Sequence, residues 1–125
     1  ASSALKDRSN TWQYLRGGDT ASNAPVDEDL YSRQLYVLGH KAQRSLSESS
    51  VLVLGLSGLG AEIAKNLALA GVGSLDLHDS TLATHADLSA SFLLSADDVG
   101  MPRHANAAAR LAPLNPYVRV ETVDY

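Results

Sequence analysis

The chain has 125 residues, room for one domain at most. Its formal charge of -4 and pI near 5.4 leave no basic footprint, so neither nucleic acid nor an anionic membrane is an expected partner. The absence of cysteine excludes disulfides, thiolate zinc sites and a thiolate nucleophile within these residues. No apolar run is long enough to span a bilayer and the first residues lack a signal-peptide core, so a soluble protein of the cytoplasm and nucleus is expected.

Residues 1–26 are rich in Ser, Asn, Asp, Thr and Gly and read as a flexible tail, with Trp12, Tyr14 and Leu15 as its apolar cluster. Asp27 to Leu38 opens the ordered part as a helix whose acids suit its N-terminus, with Leu30, Gln34 and Val37 or Leu38 on one side. A second short helix is expected from His40 to Leu46. The run Val51-Leu-Val-Leu54 reads as a parallel strand buried on both faces. Ala61 to Ala70 then reads as a helix with Ile63, Leu67 and Ala70 on its inner stripe, ended by Gly71. Residues 72–79 form a second strand, and Ser80 to Asp87 a loop over the carboxyl ends of the strands. Leu88 to Leu94 is a short apolar helix or turn. Pro102 suits the first turn of a helix that continues from Ala105 to Leu114, and Tyr117 to Val123 alternates as a third strand.

This β-α-β-α-β pattern is one α/β mononucleotide-binding half. Right-handed crossovers set its strands in the order 3-2-1 and leave the strand at 51–55 with a bare edge, as expected at the front of a longer domain. The turn after that strand holds Gly55, Gly58 and Gly60, a shape that cradles phosphate at a helix N-terminus. Ser57 stands where the dinucleotide fingerprint wants its middle glycine, and its Cβ crowds a pyrophosphate. Asp79 ends the next strand, where an acid could bind a ribose hydroxyl or anchor the loop. His40, His78, His85 and His104 show no metal spacing, so no metal is expected.

The segments Tyr31-Ser-Arg-Gln-Leu-Tyr-Val-Leu-Gly39, Gly58-Leu-Gly-Ala-Glu-Ile-Ala-Lys-Asn66, Leu77-His-Asp79, Ala86-Asp-Leu-Ser89 and Leu114-Asn-Pro116 carry a resemblance. From about Asp27 to Tyr125 the chain resembles the ubiquitin-activating enzymes, in their amino-terminal, inactive adenylation half. The resemblance implies a Rossmann-like ThiF/MoeB-type adenylation fold, of which 27–125 would be an incomplete first part. It also implies the parent chemistry: the C-terminal carboxylate of ubiquitin or a ubiquitin-like protein attacks the α-phosphate of Mg·ATP, and a cysteine elsewhere takes the acyl group as a thioester. The implied partners are the active adenylation half of the same enzyme, the modifier, and ubiquitin-conjugating enzymes through other domains.

Active halves of that family carry further groups around the phosphates, and this chain departs from them. Thr81 stands where a metal-associated Asp would be, Asp87 and Ser89 replace asparagines, Ala90 replaces an arginine, and Met101 and Arg103 occupy lysine positions. The resemblance thus implies a degenerate pocket of Gly55, Ser57, Gly58, Gly60, Asp79 and Arg103, with ATP and magnesium used by the parent enzyme and none bound here. It further implies that Arg33 reaches the ATP phosphates of the other half in trans; read from the helix alone, Arg33 could instead pair with Asp27, Glu28 or Asp29. Dehydrogenases share the glycine turn, so the cofactor half of an NAD-dependent oxidoreductase is the competing reading, against which Ser57 and the Tyr-Ser-Arg-Gln arm count. A third is an interaction module without parent chemistry.

Overall fold

A computed structural model describes residues 25–124. The tail expected at 1–26, with Trp12, Tyr14 and Leu15, lies almost wholly outside the described residues. The elements are α1 (Ser32–Ser47), β1 (Ser50–Leu54), α2 (Gly58–Ala70), β2 (Ser74–His78), α3 (Ala107–Leu111) and β3 (Arg119–Thr122). Short 3-10 turns lie at Ala86–Ser89, Ala96–Asp98 and Ala112–Leu114. The sheet is parallel in the order β1-β2-β3, with Val53 beside Leu77 and Leu77 beside Thr122. No helix among the described residues is long and apolar enough to cross a membrane.

Each expected strand forms, but β1 is not covered on both faces. Val53 is buried, whereas Leu52 and Leu54 are 42% and 66% exposed. The reason is topological: residues of α2 and α3 join one cluster with Val53, Leu75 and Leu77, so both crossovers lie over the same face. Among the described residues β1 also has no strand on its outer edge.

The stripe that α2 buries is Ala61, Ala64 and Ala68, not the expected Ile63, Leu67 and Ala70. Leu67 is half-buried and Ile63 is 46% exposed. Methyl side chains let the helix backbone approach the sheet closely, and larger ones at those positions would hold it away. Gly71 ends α2 in the left-handed region at φ 89°, its amide donating to the Ala68 carbonyl.

The helix expected from Pro102 begins only at Ala107. Leu82 and Pro102 form an antiparallel bridge, the Ala83 amide donates to Met101 O, and the Arg103 amide donates to Thr81 O. Those bonds hold 101–103 against 81–83 and out of a helix. The expected helix or turn at Leu88–Leu94 takes the turn form, a 3-10 turn at Ala86–Ser89 and a following turn.

The arm begins later than expected, because Asp27 first closes a turn by accepting from the amides of Asp29 and Leu30. Gly39, at φ 81° and ψ 165°, breaks α1 into the two expected helices. Its inward groups are Tyr31, Gln34 and Gln43. Leu30, Val37 and Leu38 are each at least half exposed.

Candidate functional site

The glycine turn is held by packing of backbone on backbone. Gly55 adopts φ +93°, and its amide donates to His78 O. A Cβ at Gly60 would lie 1.9 Å from the Gly55 carbonyl oxygen, so only glycine lets α2 start there. A Cβ at Gly58 would lie 2.8 Å from the Ala90 carbonyl oxygen: the loop that follows β2 rests on the first turn of α2. Ser57 is exposed at the N-cap with extended backbone and makes no side-chain cap.

Asp79 is buried beneath this turn. One carboxylate oxygen accepts from the Leu56 amide at 2.7 Å and the other from the Thr81 amide at 2.9 Å. Burial pushes its carboxyl up, but those amides and Arg103 outweigh the burial and hold it below the usual range. Arg103 reaches Asp79 at 3.4 Å and Asp87 at 2.8 Å. Asp87 also accepts from the Thr84 amide and hydroxyl, and the Thr84 amide followed by Arg103 lowers its carboxyl too. Gly55, Ser57, Gly58, Gly60, Asp79 and Arg103 are thus gathered in one corner, as their positions along the fold require. Two carboxylates around one guanidinium leave it with an excess negative charge.

Arg33 lies elsewhere. Its neighbour Gln34 donates to the Ala70 carbonyl at 2.8 Å, at the far end of α2 from Gly58. Twelve steps of 1.5 Å separate Gly58 and Ala70 along the axis, about 18 Å. Arg33 is exposed and makes no ion pair among the described residues. The pairing on its own helix is not formed: Asp27 holds the turn and accepts from the Tyr117 hydroxyl, and Glu28 pairs with His40. Of the other arm residues, Tyr31 is buried while Tyr36 is 93% exposed.

Two anchors of the arm had no signal in the periodicity. Gln43 is buried and joins Gln34 on Ala70 O. Asn115 donates to the Tyr31 hydroxyl and to Ala68 O, tying the arm to α2 across 84 positions of sequence. A second bracket forms where Asp98 accepts from Ser95, Asn106 and Arg110; Arg110 above all, then Ser95, holds its carboxyl far below the usual range. The capping spacing Ser95-x-x-Asp98 was the readable sign of it. Distance in sequence also hid His78, His104 and Asp124, which meet at the carboxyl ends of β2 and β3.

The ThiF family profile matches residues 31–125. The chain belongs to this family. Among curated relatives it is similar to Ubiquitin-activating enzyme E1 1 of Schizosaccharomyces pombe, 50% identical over 106 residues that make up 85% of this chain and 10% of that one. It is also similar to human Ubiquitin-like modifier-activating enzyme 1, 57% identical over 99 residues, 79% of this chain and 9% of that one. The chain thus spans about a tenth of these relatives' length, as a fragment of a ubiquitin-activating enzyme would. Among solved structures, E. coli tRNA N6-threonylcarbamoyladenosine dehydratase, TcdA, in complex with ATP matches with TM-score 0.70 and 25% identity, covering 85% of this chain and 43% of that one. With its parallel sheet, the ThiF chain has the Rossmann-like adenylation fold.

Proposed function

We propose that this chain is the front of the inactive adenylation half of a ubiquitin-activating enzyme. In this reading the parent enzyme adenylates the C-terminus of ubiquitin with Mg·ATP and passes it to a cysteine outside these residues. The half described here is architecture, and ubiquitin-conjugating enzymes meet other parts of the protein. Its site is the cytoplasm and nucleus.

The corner supports this. The cation that reaches it among the described residues, Arg103, is already neutralised by Asp79 and Asp87, Thr81 offers no carboxylate to a metal, and Ala90 backbone lies against Gly58. Those groups do not fit a magnesium triphosphate. The same crowding by Ala90, with Ser57 before it, disfavours a dinucleotide.

The observation that carries the trans role is the separation of Arg33 from this corner by the length of α2, about 18 Å. An exposed guanidinium so placed serves a phosphate on another half, and the exposed Tyr36 and Val37 beside it offer that half an apolar contact. The test is Arg33→Ala in the full-length enzyme. A charge-assisted hydrogen bond is worth about 1.5–3 kcal/mol, so ATP–pyrophosphate exchange should fall roughly 10- to 150-fold with the melting temperature unchanged. Wild-type exchange would remove the clamp. Two ATP bound per enzyme, the second lost in Arg103→Ala, would overturn the scaffold reading.

A further inference from the structure

His78 ends β2, His104 precedes α3 and Asp124 follows β3, and one ligand atom from each lies within 4.8 Å of the others. The rings of His78 and His104 are 5.2 Å apart and tilted by 30°. Their partners fix the proton on each ring. His78 Nδ1 lies 2.7 Å from the Val123 carbonyl, which only accepts, so Nδ1 donates there and Nε2 is the nitrogen turned to a ligand. A backbone carbonyl behind the ring is the support that histidine ligands of metals use. His104 is arranged the other way. Its Nδ1 accepts from the Asp79 amide at 3.1 Å, and its Nε2 faces Asp124 at 3.1 Å, so the proton sits on Nε2.

We propose that His78, His104 and Asp124 form a site for a divalent transition-metal ion of the zinc type. Two imidazole nitrogens and a carboxylate suit such ions, which take three protein ligands and leave a fourth position to water. The exposed side of Asp124 is where that water enters. A metal replaces the hydrogen bond between His104 and Asp124. For His104 Nε2 to bind, its proton moves to Nδ1 through solvent, the Asp79 amide loses its acceptor, and the ring turns away because Nδ1–H would otherwise face that amide's N–H at 3.1 Å. Occupancy is thereby coupled to the backbone of the glycine corner, and giving up that bond makes the affinity lower than that of a preformed site.

Zinc is the probe, with bound metal counted by elemental analysis after equilibrium dialysis of the full-length protein at micromolar free zinc. Wild-type protein should hold one equivalent more than His78→Gln, His104→Ala or Asp124→Asn. Cobalt substitution should give a visible absorption band that the same three variants lose. Asp124 is 91% exposed, so Asp124→Asn keeps the fold and carries the test if the histidine variants do not fold. His85→Gln, at an exposed histidine outside the cluster, should match wild type. Equal stoichiometry in wild type and Asp124→Asn, or an equal loss in His85→Gln, would overturn the site.

Discussion

Replacing Asn115 by Ala cuts the polar tie between the arm and the body of the fold. Asn115 is 3% exposed and donates 2.8 Å to the Tyr31 hydroxyl and 2.9 Å to Ala68 O, while its Oδ1 accepts from the Tyr117 amide. The three lost bonds do not weigh equally. Ala68 O keeps the Gly71 amide, and Tyr117 is exposed enough for water to take its amide. The Tyr31 hydroxyl, packed against Gly71 in a residue only 7% exposed, is left without that partner. An unsatisfied buried group costs about 1–3 kcal/mol, and the lost side chain adds about 1, for a total of roughly 2–4 kcal/mol. Tyr31→Phe removes only the hydroxyl and should cost about 0.5–1.5 kcal/mol. Hydrogen exchange in the full-length protein reads this through the Leu35 amide, which donates to Tyr31 O. Its protection should fall roughly 30- to 1000-fold in Asn115→Ala and about 2- to 13-fold in Tyr31→Phe. If the hydroxyl acts through Asn115, Tyr31→Phe should restore part of the protection in the Asn115→Ala background, because it removes the orphaned group. Protection that falls by the product of the single effects would refute the tie.

The remaining predictions concern the corner and the Asp98 bracket. Gly60→Ala should abolish folding of this half, seen as loss of soluble full-length protein, because its Cβ meets Gly55 backbone at 1.9 Å; wild-type yield would be evidence of a different turn. Gly58→Ala should be milder, on the order of 1–3 kcal/mol by thermal unfolding, since the loop at Ala90 can move where the turn cannot. The Asp98 carboxyl is depressed in the folded state, so its contribution is fully present above the unfolded pKa, near 3.9, and is lost as pH falls through the lower folded value. Asp98→Asn should therefore melt below wild type at pH 7, and the gap should close as pH drops below about 4; a gap independent of pH would exclude the charge as its cause.

The local patterns were legible because they are set within a few residues. The glycine turn between an apolar run and a helix, the break at Gly39 and the left-handed Gly71 each follow from backbone freedom at one position. The inner stripe of α2 departs from its hydrophobic pattern because close approach to the sheet, not hydrophobicity, decides which side chains face inward. Ala61, Ala64 and Ala68 recur at helical spacing too, and a reading by size would have chosen them. The late start of α3 had no such sign, since Pro102 fits a helix start and only pairing with the distant 81–83 segment keeps it out of one.

The sequence by itself determined the order of strands and helices, the phosphate-shaped turn, and a charge balance poor in cations, all consequences of short-range sterics and composition. Tertiary structure decided that Arg103 is shared by Asp79 and Asp87, that Arg33 stands a helix length away from them, and that two histidines meet an aspartate. Those outcomes depend on where parallel crossovers return the chain, and a crossover joins residues tens of positions apart whose spacing carries no period of its own.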